Sequence, residues 1–284
     1  PGRLRGRYFG NRSQVVRIFM LISSLLAGAI LNSYEESNTF NGFTIIFSLG
    51  IIANIGSIYF LKRQYEPEDT TNDETFEINS IKTKMDSGLK RFIIYDSLSE
   101  FSFHVSGPLM MVYWLRDLSF DYIELAIIIN VSQVLGLFSM RYWGKRIDDI
   151  GSFTTIRSTS FFIALLPILW IGNYYLPNEL ILAGSIIIAS IASLMFSGRA
   201  LALDNRLYEH MKNKKMIQVT SKRVFFRGLS IFIGGLIGGL LTTNESSLSI
   251  YIELDTVIHA VMVFSTVLRL GVWLYFLVDK KSKI

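Results

Sequence analysis

The sequence predicts an all-α membrane protein, a polytopic bundle of eight transmembrane helices. Half of its 284 residues are apolar, and eight separate apolar stretches are each about 20 residues long, enough to cross a bilayer as a helix. These stretches cover residues 15–31, 42–61, 92–114, 122–140, 159–177, 180–200, 224–242 and 257–278. No cysteine is present, which excludes disulfides and thiolate chemistry.

Basic residues are confined almost entirely to alternate connections. Of the 28 Lys and Arg residues, all but Arg116 and Arg269 lie at the two ends or in the connections 62–91, 141–157 and 199–227. Because basic loops resist translocation, we expect this side and both ends of the chain to be cytoplasmic, in the cell membrane. The basic residues behind the net charge of +5 are then explained by membrane topology and contact with anionic lipid, and we expect no nucleic-acid partner.

An acidic connection divides the spans into two groups. Its middle, from Glu66 to Glu77, is rich in acids and contains a single aromatic residue, a composition that buries no core and is typical of a flexible linker. The sequence therefore predicts two spans in residues 1–61, a cytoplasmic linker at 62–91 and six spans in residues 92–284.

Proline and glycine mark two of the spans. Pro108 lies inside the third stretch and has no N–H to donate, so we expect a kink there. In the seventh stretch, Gly234, Gly235, Gly238 and Gly239 form two overlapping pairs of small residues four positions apart. Such a surface lets another helix approach closely, and we favour packing over a gating role.

Three ionisable residues share one face of the third stretch. Asp96, Glu100 and His104 follow one another at intervals of four, the spacing that stacks side chains along a helix. Ionisable residues within a membrane are costly and commonly functional, and a carboxylate beside an imidazole can load and release a proton. The alternatives are that Asp96 is merely interfacial and that Glu100 is neutralised by a fixed partner.

Arg269 lies deep in the last stretch, too far from the basic tail to reach the interface easily. We expect it to face the bundle and to pair with a carboxylate, Glu100 or Asp96. In the fourth stretch, Asn130 and Gln133 share a face, where they either bind substrate or hold two helices together.

Signals for enzyme or cofactor chemistry are missing. The three His residues make no metal-ligand spacing, and the sequence has no phosphate loop of the GxxxxGK type and no HExxH or GxSxG motif. We therefore expect no enzyme activity, no cofactor and no metal.

The most specific pattern lies in the basic connection between residues 141 and 157. Gly144 is followed by Asp148, Gly151 and Arg157. We expect small residues at the corners of a tight turn and a carboxylate that accepts from amides at a helix N-terminus.

The pattern Gly144-x3-Asp148-x2-Gly151 resembles the signature loop of the major facilitator superfamily. Gly107-Pro108 is similar to the superfamily's seventh helix, and Leu268-Arg269-Leu270 is similar to its twelfth. The resemblance covers the chain as helices five to twelve of a bacterial or archaeal permease, a partial fold, and we expect a fragment of a longer protein. Asp149 stands where the loop has a basic residue.

The resemblance implies a secondary active transporter that moves a small solute by alternating access. Glu100 and His104 suggest the proton as the coupling ion, and the third stretch, as the seventh helix, would line the substrate path. The Asp148 loop would latch against the first span near Arg12 and Ser13. The alternative is a membrane scaffold or assembly partner that transports nothing.

Overall fold

The computed structural model describes residues 2–34, 39–63, 87–210, 216–243 and 256–278. This part of the chain consists of eight long helices and one short helix, without a strand, which confirms the predicted all-α bundle. The helices are α1 (Gly2–Tyr34), α2 (Thr39–Leu61), α3 (Ser87–Ser106), α4 (Leu109–Val112), α5 (Tyr122–Ile150), α6 (Ser152–Tyr174), α7 (Asn178–His210), α8 (Met216–Thr243) and α9 (Val257–Val278).

Six helices in the described ranges are long and apolar enough to cross a membrane. Their spans are Phe40–Leu61, Tyr122–Ile150, Ser152–Tyr174, Asn178–Tyr208, Val219–Thr243 and Val257–Leu277. A shorter apolar segment, Ile18–Tyr34, lies in α1. The third predicted stretch is not among the six, because α3 carries charged residues and ends before the stretch does.

The third stretch is interrupted at Gly107–Pro108. α3 ends at Ser106, two turn residues follow, and the chain then continues as α4 and a π-helical turn, Tyr113–Asp117. The Gly107 amide still donates to the Phe103 carbonyl at 3.0 Å. The predicted break at Pro108 is therefore confirmed.

One helix begins earlier than its apolar stretch, and another begins at the predicted residue. α3 begins at Ser87, inside the segment assigned to the linker, and residues 64–86 of that segment lie outside the described part. α5 begins with a reciprocal cap, in which the Glu124 amide donates to Asp121 Oδ1 at 2.6 Å and the Asp121 amide donates to Glu124 Oε2 at 3.0 Å.

The contacts divide the chain into two compact units. The first contains α1, α2 and residues Phe120–Asn130 at the start of α5. Within it, Ser24 Oγ donates to Asn130 Oδ1 at 2.7 Å, and Gly28 lies so close to α5 that a Cβ there would be 2.9 Å from Ala126 Cβ. Small and polar side chains thus join α1 to α5.

The second unit contains the remaining helices, with α3 packed on α8 and α9, and α6 packed on α7 and α9. Its core includes Tyr95, whose ring stacks on Phe276 with centroids 4.1 Å apart. Where α8 meets α3, a Cβ on Gly234 would lie 2.6 Å from the Phe101 carbonyl oxygen, and one on Gly238 would overlap the Val105 carbonyl oxygen. The predicted glycine surface is therefore a close helix–helix contact.

Candidate functional site

A cavity of about 850 Å³ lies within the second unit. Its wall is formed by α3, α4, the π-helical turn and α5 to α9. Part of the wall is aromatic and apolar, and another part is charged. The charged residues of the wall are Glu100, His104, Arg199, Asp204, Arg223, Arg227 and Arg269.

Asp96 lies next to this charged wall and is 1% exposed. Arg223 from α8 donates through Nε to Asp96 Oδ2 at 2.7 Å and through Nη1 to Asp204 Oδ1 at 2.9 Å. Asp96 does not line the cavity itself. Its carboxylate therefore ties α3 to α8, and through Arg223 to Asp204 on α7.

Glu100 is one turn further along α3 and lines the cavity. Its Oε1 lies 2.9 Å from Arg227 Nη2 and 3.5 Å from Arg199 Nη1. His104 Nδ1 lies 3.7 Å from Glu100 Oε2 and 2.9 Å from the backbone oxygen of the same residue. The Glu100 side chain is 6% exposed and that of His104 is 33% exposed, so the imidazole is the more accessible of the two groups.

Arg199 of α7 is almost completely buried. Its ion pairs are long, 3.5 Å to Glu100 and 3.7 Å to Asp96, and its Nε and Nη2 have no hydrogen-bond acceptor among the described residues. The guanidinium carbon lies 4.8 Å from the centre of the Phe103 ring and 5.9 Å from that of Tyr95. Aromatic faces supply part of the stabilisation that a close carboxylate would give.

Arg269 of α9 is held by four hydrogen bonds to neutral groups. Its Nε donates to Ser265 Oγ at 3.1 Å, and its Nη1 donates to the Ile163 carbonyl at 3.1 Å. Its Nη2 donates to Ser106 Oγ at 3.0 Å and to the Phe103 carbonyl at 3.4 Å. One buried side chain therefore connects α9 to both α3 and α6.

The predicted ion pair of Arg269 is wrong, since it forms none with Glu100 or Asp96. The reason lies in α6. Pro167 has no N–H, so the carbonyl of Ile163, four residues earlier, lacks its helical donor. Arg269 supplies that donor, and the two carboxylates are already bound by arginines from α7 and α8.

Asn130 and Gln133 do not come together at the cavity. Asn130 is buried in the first unit, where Oδ1 accepts from Ser24 and Nδ2 donates to the Ala126 carbonyl at 2.7 Å. Gln133 belongs to the second unit and does not line its cavity. The contacts of Asn130 are those of the helix-joining alternative.

The Asp148 segment differs from the predicted turn. Gly144 and Asp148 lie inside α5, and only Gly151, with φ of +84°, forms the connection to α6. Asp148 is exposed and makes no hydrogen bond to another described residue, so the predicted contact with helix amides is wrong.

Arg157 is exposed on α6, and its carbonyl accepts from Trp273 Nε1 at 2.9 Å. The side chains of Arg12 and Ser13 lie outside the described part.

Four charged residues of the site were missed from sequence. Arg199, Asp204, Arg223 and Arg227 were assigned to a cytoplasmic connection because basic residues cluster there, whereas they lie on the long helices α7 and α8. A helical signal was present. Arg223 and Arg227 are four residues apart, and Gly234 follows seven residues later, so all three share the face that meets α3.

Among the described residues, no three His, Asp or Glu side chains converge where they could hold a metal ion. The charges of the cavity are paired with one another or stabilised by backbone, hydroxyl and aromatic groups.

Comparison with known protein families gives a match to the Major Facilitator Superfamily over residues 1–213. The chain belongs to this superfamily. Its members are membrane transporters that bind small-molecule substrates, so the protein is a multi-pass membrane transporter. No curated protein matches the chain.

Proposed function

We propose that this superfamily member is a secondary active transporter that moves a small solute by alternating access and couples the movement to protons. The observation that carries the proposal is the position of Glu100 and His104. A nearly buried carboxylate and a partly exposed imidazole, 3.7 Å apart, lie in the wall of a cavity large enough for a small solute.

His104 is the proposed entry point for the proton. Its ring is open to the cavity, and its Nδ1 faces both the side chain and the backbone oxygen of Glu100. Imidazole changes charge near physiological pH, which suits it to pass a proton to a neighbouring carboxylate.

Protonation of Glu100 would change the contact between α3 and α8. The ionised carboxylate attracts Arg227 at 2.9 Å and Arg199 at 3.5 Å. A neutral carboxyl group loses this attraction, which is strong where water is scarce. The proton would therefore loosen a contact between helices, the kind of two-state element that alternating access requires.

Asp96 takes a different part in this proposal. Both of its arginine contacts are buried, and it does not line the cavity. It would hold Arg223 and Arg199 in place while Glu100 changes its charge. Asn130 joins helices, and Gln133 would act only in a state in which it reaches the solute.

Alternating access would rock residues 1–61 against residues 92–284, joined by the linker at 62–91. The segment with Gly144, Asp148, Gly151 and Arg157, which spans the end of α5 and the start of α6, would latch one of the two states. In this proposal the protein spans the cell membrane with both ends of the chain in the cytoplasm, in line with its basic connections.

The test is electrophysiology on solid-supported membranes carrying the full-length protein in liposomes. A panel of organic anions, organic cations, sugars and dipeptides is applied at pH 6 and at pH 8. We expect one class to give a saturable current that depends on pH, and Glu100→Gln to remove the pH dependence.

Glu179→Gln is the matched control, because Glu179 is an exposed acid at the start of α7, outside the cavity wall. It should behave like the wild type. A correctly folded wild type that gives neither a current nor a change in the pH of the liposome lumen with any class would contradict the proposal. A Glu100→Gln variant with the full pH dependence would also contradict it.

A further inference from the structure

We infer that the cavity takes an amphipathic organic anion, with the anionic group against Arg199 and Arg269 and the apolar body against Trp114 and Trp170. The inference rests on the proposed function, since it names the class of solute that the transporter would carry.

The cavity has more positive than negative charge. The described residues of its wall include four guanidiniums and two carboxylates. They are Arg199, Arg223, Arg227 and Arg269, with Glu100 and Asp204. Even with the buried Asp96 added, the arginines exceed the carboxylates by one. This excess of positive charge favours an anionic ligand and disfavours a cation.

Two of the four arginines remain available to a ligand. Arg223 is bound by Asp96 and Asp204, and Arg227 forms a close pair with Glu100. Arg199 and Arg269, in contrast, have no carboxylate hydrogen bond among the described residues.

The guanidiniums of these two arginines both lie close to the same aromatic ring, that of Phe103. The guanidinium carbon of Arg199 lies 4.8 Å from the centre of the Phe103 ring, and that of Arg269 lies 5.1 Å from it. Arg269 uses four of the five N–H groups of a guanidinium, which leaves one at Nη1. We place the anionic group in this part of the wall because both guanidiniums line it and Arg199 Nε and Nη2 have no acceptor among the described residues.

The aromatic, apolar part of the cavity wall is separate from the arginines and is formed by two tryptophans. Trp114 and Trp170 face the cavity with their ring centroids 5.4 Å apart and their planes tilted by 54°. Trp114 follows the break at Pro108, whereas Glu100 precedes it, so the aromatic and charged regions lie at different levels of the α3–α4 segment. A solute that fills both regions needs an apolar body as well as a charge.

The volume fits this class. About 850 Å³ accommodates a drug-sized molecule. An inorganic anion has no apolar body to place against the tryptophans, and an uncharged aromatic molecule has no charge to place against the guanidiniums.

The test is calorimetric titration of the full-length protein in lipid nanodiscs with three probes, using empty nanodiscs to subtract partition into lipid. The probes are naphthalene-2-sulfonate, uncharged 2-naphthalenemethanol and inorganic sulfate. We expect naphthalene-2-sulfonate to bind saturably, and each of the other two to bind at least tenfold more weakly.

Arg199→Gln should weaken naphthalene-2-sulfonate binding at least tenfold, and Trp114→Ala at least threefold. Arg269→Lys, which keeps the charge and some of the hydrogen bonds, provides a folded variant of the second arginine and should weaken binding less than Arg199→Gln. Lys90→Gln, which removes an exposed charge of α3 outside the wall, should leave binding unchanged.

Equal binding of the alcohol and the sulfonate, or unchanged binding by Arg199→Gln, would overturn the anion site. Sulfate binding as tight as that of naphthalene-2-sulfonate would overturn the role of the two tryptophans.

Transport is measured separately in liposomes. Selective sulfonate binding without any transport would overturn the proposed function alone, whereas transport of cations or neutral solutes only would overturn this inference alone.

Discussion

Arg269 donates through Nη1 to the carbonyl oxygen of Ile163 at 3.1 Å. This carbonyl lacks its helical donor because the residue four positions later is Pro167. A guanidinium with no carboxylate partner thus stabilises a helix that contains a proline. The same side chain reaches Ser106, directly before the Gly107–Pro108 break in the third span.

Removing this arginine should destabilise the protein, and removing the proline should relieve part of the loss. Arg269→Leu leaves a buried carbonyl without a donor, which costs about 1–3 kcal/mol in addition to the other lost hydrogen bonds. In a Pro167→Ala background the Ala amide can donate to Ile163, so the same change should cost at least about 1 kcal/mol less. Unfolding in mixed micelles measures the free energy of unfolding of the wild type, the two single variants and the double variant. If the losses caused by Arg269→Leu and Pro167→Ala simply add in the double variant, the account is contradicted.

The contact between α3 and α8 should tolerate no side chain at Gly238. A Cβ there would overlap the Val105 carbonyl, so Gly238→Ala forces the helices apart and should lower the free energy of unfolding by about 1–3 kcal/mol. Gly239→Ala is the matched control, because a Cβ at Gly239 meets nothing within 4 Å. It should be neutral or stabilising by up to about 1 kcal/mol. Equal effects of the two changes would show that the close approach is not needed.

The buried pair of Asp96 and Arg223 should behave as a unit. Asp96→Asn removes the charge facing Arg223 Nε at 2.7 Å and should destabilise the protein by about 3–5 kcal/mol. The double variant Asp96→Asn with Arg223→Gln should recover a substantial part of that loss. Thermal unfolding of the two single variants and the double variant tests this coupling, and a double variant no more stable than Asp96→Asn would exclude it.

The side chain of Asp148 should affect transport without affecting folding. Asp148 is exposed at the end of α5, so Asp148→Ala should leave membrane insertion and thermal stability unchanged while abolishing uptake if the residue forms a latch. The neighbouring exposed Asp149 provides the control, and Asp149→Ala should retain uptake. Uptake by Asp148→Ala at the wild-type rate would rule out the latch.

The sequence predicted the helices better than the charge network, for a physical reason. Apolar length alone marks a membrane helix, and Pro108 has no N–H for the helical hydrogen bond, so a kink or break there is readable from the sequence. The partner of a buried charge depends instead on which helix faces which, and this depends on packing. Thus Glu100 was identified as a site residue, but its partner Arg227 was counted with a basic connection.

Arg269 illustrates the same limit. Its depth in the last helix predicted a buried partner, and a carboxylate was the expected one because an uncompensated charge is costly in a membrane. The carbonyl freed by Pro167 could not be connected to it without knowing that α6 packs on α9.

The central claim is that the carboxylate of Glu100 carries the coupled proton. It is tested most directly in liposomes that contain the full-length protein and the pH-sensitive dye pyranine, supplied with the solute identified by the panel. The wild type should acidify the lumen as solute enters. Glu100→Gln should still exchange labelled for unlabelled solute but should not acidify the lumen. Acidification by Glu100→Gln at the wild-type ratio of proton to solute would contradict the claim.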